Sequence, residues 1–123
     1  MNFDLQRLVI GANPTLLARI ADEDGNLLKR SQIYAISVKV HHKATGRTPA
    51  GFDDLEVPLE AVLDDLEVGT IWSRDNIGYN FRYTLPGTVD HPALPWKGEY
   101  FLHVVFVRVS GVPFVIQYDI EVQ

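Results

Sequence analysis

The chain has 123 residues, 46% of them apolar and 22% charged. That is enough for one domain over 1–123 with its own core, too little for two, and too apolar for disorder. A net charge of −5 argues against nucleic acid and anionic membrane as partners, because phosphate-rich surfaces bind basic faces. Cysteine is absent, which removes disulfides, thiolate catalysis and sulfur-based zinc sites.

Along the chain the dominant pattern is period two, interrupted by turn residues, which points to an all-β domain. The N-terminus "MNFDLQRLVIGANP" lacks a basic region followed by a long apolar run, so no signal peptide is expected and a cytoplasmic location is favoured. No apolar stretch reaches the roughly 18–20 residues of a membrane span. Apolar runs at 5–10 and 15–21 are separated by "GANP". The run 33–42 alternates, with Tyr34, Ile36, Val38 and Val40 on one face and Ala35, Ser37, Lys39 and His41 on the other; "KATG" then turns the chain.

The segment 52–69 fits two patterns. Leu55, Leu59, Val62, Leu63 and Leu66 form a helical stripe that Pro58 can open and Gly69 close, while Leu55, Val57 and Leu59 alternate as in an edge strand. The expectation is a short strand followed by one or two helical turns near 58–67. Further on, "GYNFRYTLP" alternates Tyr79, Phe81, Tyr83 and Leu85 against Asn80, Arg82 and Thr84. A proline-rich loop leads to "GEYFLHVVFVRVSG", and "SGVP" makes the hairpin to a last strand with Phe114, Ile116, Tyr118, Ile120 and Val122 inward.

"WKGEYFL" resembles the tyrosine-corner stretch of immunoglobulin-like sandwiches, with Gly98 two residues before Tyr100, and "SGVPFVIQYDIEV" resembles the hairpin and last strand of such domains. Leu102 stands where antibody domains carry a cysteine, Trp96 where an acidic residue is usual, and 33–42 holds no tryptophan. The resemblance covers about the last third of the chain and is shared with fibronectin type III-like and macroglobulin-like modules. It implies an antiparallel immunoglobulin-like β-sandwich of seven or eight strands in which the Tyr100 hydroxyl bonds to backbone upstream. It implies no function, because such folds host many.

Several constellations suggest chemistry and have plainer explanations. "ADEDGN" at 21–26 resembles part of a calcium loop, but an EF-hand needs glycine sixth and glutamate twelfth. Here Gly25 directly follows Asp24, which is a hairpin-turn signal. His41 and His42 are adjacent and so point to opposite faces of a strand; with His91 in a loop and His103 mid-strand, no metal site is expected. Asp53, Asp54, Glu56, Glu60, Asp64, Asp65 and Glu67 read as a solvated edge that discourages aggregation, rather than as a hydrolytic carboxylate pair. None of Ser31, Ser37, Ser73 and Ser110 lies in a nucleophile elbow, and no glycine-rich phosphate loop is present. No cofactor and no enzymatic activity are expected.

The stretch 98–111 carries the functional expectation. Its even face, Tyr100, Leu102, Val104 and Phe106, and its odd face, Phe101, His103, Val105, Val107 and Val109, are both apolar. Burying a valine or phenylalanine contributes about 1.5–3 kcal/mol, so the odd face represents on the order of 5–10 kcal/mol. Either the segment 52–69 folds across it, or a protein partner or second copy packs there as in a homodimer. The expected function is therefore a non-catalytic protein-interaction or assembly module with Phe101, His103, Val105, Val107 and Val109 as interface. The alternative is a small-ligand or carbohydrate-binding module using Trp72, Asp75, Asn76, His91 and Trp96 at one end of the sandwich.

Overall fold

The structure is a computed structural model and describes residues 6–8, 11–68, 72, 75–88 and 90–123, with only the backbone described for 6–8. It contains β1 (Gln6–Leu8), β2 (Thr15–Ala18), β3 (Ile33–His42), β4 (Leu55–Val57), β5 (Val62–Glu67), β6 (Tyr79–Thr84), β7 (Gly98–Arg108) and β8 (Phe114–Val122). One sheet has the order β1-β8-β7-β3-β4 and the other β2-β6-β5. The fold is an all-β sandwich. Every strand pair is antiparallel except β1 with β8. β1 and β8 are far apart in sequence, so no hairpin constrains them to run antiparallel.

The core lies between the sheets. Phe81 of β6 meets Phe106 of β7 edge-on with 5.0 Å between ring centroids, and Phe106 stacks on Phe114 at 4.7 Å. Ile36, Val38 and Val40 of β3, Tyr100, Leu102 and Val104 of β7, and Ile116, Tyr118 and Ile120 of β8 are all buried against Leu16, Ala18 and Val62 of the facing sheet. Period-two alternation produces this directly, since every second side chain of a strand shares one face.

Tyr34 departs from its expected place. It is exposed while Ile33 and Ile36 are both buried, because the β3–β7 register shifts between Ile33 and Ala35. A bulge inserts a residue and reverses the parity beyond it. Asn80 departs in the other direction. Expected on the wet face of β6, it is buried, its Oδ1 accepting the Ile20 N–H at 2.6 Å and its Nδ2 donating to the carbonyls of Ile20 and Leu28. It thereby satisfies the backbone of the segment after β2, which has left its own ladder.

The segment 52–68 forms the expected short strand and turn, β4 followed by a 3-10 turn at Leu59–Ala61, and then a strand instead of further helix. β4 pairs with the edge of β3, and β5 joins the opposite sheet. The segment therefore does not lie over the outer face of β7. The Asp22–Asn26 stretch is a turn closed by the Asp22 N–H on the Asn26 carbonyl, with the Asp22 carboxylate accepting the N–H groups of Asp24 and Asn26. Among the described residues no helix is long and apolar enough to cross a membrane.

Candidate functional site

The outward face of the five-stranded sheet is set by the registers around β7. Phe101 lies between His41 and Asp119, His103 between Lys39 and Gln117, and Val105 between Ser37 and Val115, while Val107 adjoins Ala35. The face divides along its length. Toward the His42 end it is polar and internally bonded. The Lys43 ammonium reaches Glu99 at 3.0 Å and lies 5.2 Å from the Phe101 ring centroid. His103 Nε2–H donates to Gln117 Oε1, and Gln117 Nε2 donates to Asp119. His41 packs edge-on against His103.

Toward the Arg108 end the same face is apolar and open. Val107 is 38% exposed, Val109 67% and Val115 44%. The expectation of a uniformly dry odd face is thus refined. Neighbouring side chains half-bury Phe101, His103 and Val105, and the area left to water concentrates on Val107, Val109 and Val115. Val115 was missed from the sequence, although its parity with Gln117 and Asp119 places it on this face.

The ligand-site candidates separate into two groups. Trp72, Asp75 and Asn76 precede β6, whereas His91 and Trp96 follow it, so the strand stands between them and the two tryptophans do not share one end. Trp72 is buried, packs against Tyr79, and donates its indole N–H to Asp75 at 2.9 Å. Asp75 also accepts the N–H groups of Ile77 and Gly78 and pairs with Arg19 at 2.8 Å. The Trp72 hydrogen bond, helped by those of Gly78, Arg19 and Ile77, holds the Asp75 carboxyl well below its ordinary range. This is a loop staple. Asn76 is exposed beside it.

Trp96 lies in a stack at the opposite end. The Arg47 guanidinium sits 4.4 Å from its ring centroid on one side, and buried His42 packs at 5.5 Å. His42 Nε2–H donates to the Lys97 carbonyl at 2.9 Å, so its Nδ1 accepts from the Thr45 hydroxyl at 2.8 Å. Gly98 has φ +112°, and a Cβ there would meet His42 Nε2 at 3.2 Å. Tyr100 closes the corner: its hydroxyl donates to the Trp96 carbonyl at 2.6 Å and accepts the Trp96 N–H at 2.7 Å.

His91 borders a cleft of about 390 Å³ walled by Pro49, Phe52, Leu55, Pro86 and Pro92, with Asp90 beside it. Trp96 is not part of that wall. Among the described residues no three His, Cys, Asp or Glu side chains group closely enough for a metal ion. Comparison with known protein families, with curated proteins and with solved structures found no match for this chain.

Proposed function

We propose that the chain is an immunoglobulin-like domain that works as a non-catalytic protein-interaction or assembly module through the outer face of its five-stranded sheet. The strand order supports the fold reading. The second, sixth and fifth strands form one sheet and the first, eighth, seventh, third and fourth the other, as in immunoglobulin-like domains that carry an extra strand after the third. The Tyr100 hydroxyl bonded to Trp96 backbone is the corresponding tyrosine corner.

The observation that carries the interaction reading is the exposure of Val107 and Val115 on neighbouring strands of one open sheet, with Val109 just past the end of β7, each more than a third exposed. Exposed valines scattered singly need no explanation, but adjacent ones on a sheet mark a contact surface. The rest of the face supplies the polar rim usual at interfaces.

Substituting Val107→Asp adds a charge at the centre of this surface without touching the core. The expected result is loss of self-association in sedimentation at high micromolar concentration or, where the wild type sediments as a monomer, a clear rise in its solubility. An unchanged sedimentation coefficient together with unchanged solubility overturns the interaction reading.

A further inference from the structure

We infer that the occupant of this face is a second copy of the chain, related by a two-fold axis running along β7, so that β3 of each copy lies over β8 of the other. The inference rests on the interaction reading and adds the partner and its orientation. Two independent features of the face select this arrangement from those open to a face-to-face dimer.

The first feature runs along the strands. The face is apolar at Val107, Val109 and Val115 and polar at Lys39, His41, Gln117 and Asp119. A two-fold axis parallel to the strands keeps height, so valines meet valines and polar groups meet polar groups. An axis perpendicular to the strands within the interface exchanges the two ends and lays the valines over the bonded polar half. That would bury polar groups against partners unable to bond them.

The second feature runs across the strands. On β3 and the turn after it the outward charges are Lys39 and Lys43, with no acid among them; on β8 they are Asp119 and Glu121, with no base. At the β4 edge, beyond the positive column, exposed Glu56 pairs in register with Ser37. Inside that edge, lysines thus lie on one side of β7 and acids on the other, with Glu99 of β7 itself bonded to Lys43. Rotation about an axis along β7 lays the β3 positive column over the partner's β8 negative column, and the reverse. Rotation about the perpendicular axis lays β3 on β3 with the ends exchanged, so the lysines face the partner's apolar end and neither column meets its complement. Complementary potentials across an interface favour the first.

The area is adequate. With strands about 30 Å long and about 4.8 Å apart, β3, β7, β8 and their short flanking strands offer on the order of 600 Å² per copy, near the roughly 800 Å² per partner of a standard interface. Opposed sheets pack about 10 Å apart. In this arrangement Ser37 faces the partner's Val115 level, and Val105 faces its own counterpart across the axis.

The absence of cysteine makes engineered thiols unique reporters. Three single variants of the full chain, Ser37→Cys, Val115→Cys and Val105→Cys, are treated with a short bis-maleimide at high micromolar concentration. The expected result is efficient cross-linking of Val105→Cys alone and of an equimolar Ser37→Cys plus Val115→Cys mixture. Ser37→Cys and Val115→Cys are each expected to react at least tenfold more slowly alone. Strong self-linking of Ser37→Cys alone, with no gain on mixing, overturns the orientation while leaving a face-mediated contact intact. A monomer with no cross-linking by any variant overturns the second copy as occupant; the solubility of Val107→Asp then decides separately whether the face binds another protein.

Discussion

At the scale of single residues, polar side chains in this chain mostly satisfy backbone that has left a sheet. Asn80, Asp75, His42 and Tyr100 each bond to main-chain groups at loop entries. Asp75 has the most partners and gives the clearest pH consequence. Its carboxyl titrates well below the ordinary 3.8 because the Trp72 indole and its other donors favour the charged form. A group whose folded pKa is depressed contributes stability that is fully present above its unfolded value of about 3.9 and is lost as pH falls below it. Thermal unfolding from neutral pH down to acid should therefore show the wild type losing stability more steeply below about pH 4 than Asp75→Asn, which cannot titrate. Parallel profiles for the two proteins would mean that the Trp72 loop draws nothing from this charge.

At the scale of elements, β7 divides its two faces between core and surface. Phe106 is fully buried between Phe81 and Phe114, whereas its neighbour Val107 faces out. Phe106→Ala should cost about 3–5 kcal/mol in urea unfolding, through lost transfer energy and a residual cavity. Val107→Ala, measured where the protein is dilute, should stay within about 0.5 kcal/mol of wild type. Equal costs would show that the odd face is packed within one chain. The same contrast explains what the sequence made legible. β3, β6 and β8 were readable because strands with one dry face alternate visibly, and β7 because a long apolar run lies between turn residues. β5 was not, because "VLDDLE" places its apolar residues one, two and five, a helical spacing, and its register to β6 shifts between Val62 and Glu67. Tyr34 was misplaced by a bulge, and Asn80 by a hydrogen-bonding demand arising sixty residues away at Ile20. The apolar odd face was legible, but its division into a self-bonded half and an open half was not, since that depends on which side chains of β3 and β8 stand beside each residue of β7. The tryptophans misled because proximity to loops says nothing about which end of the sandwich those loops occupy.

At the scale of the whole molecule, the orientation of the proposed dimer sets its salt dependence. Each copy carries a net charge of −5, which opposes association, but the copies' centres would lie on the order of 25 Å apart, judging from a radius of gyration near 13 Å for a domain of about this size. At 0.1 M salt the Debye length is about 10 Å, so that long-range repulsion is already largely screened. The opposed columns on β3 and β8, about 10 Å apart by sheet packing and closer at their side-chain tips, are not. Raising salt from 0.1 to about 0.5 M therefore removes mainly the local term. With β3 over β8 that term is attractive and the dimer weakens; with β3 over β3 and the ends exchanged, the lysines face the partner's apolar end, the attraction is absent, and salt does not weaken the dimer. Because a partner that binds only the folded chain stabilises it by mass action, the effect is readable in thermal unfolding. A free-partner concentration a hundred times Kd adds about 2.7 kcal/mol, or roughly 10 °C for a domain of this size. The expected outcome is a melting temperature that rises with protein concentration at 0.1 M salt, rises less at 0.5 M, and does not depend on concentration for Val107→Asp. A concentration dependence that salt leaves unchanged or steepens would show no attraction between opposed columns and rule out the axis along β7.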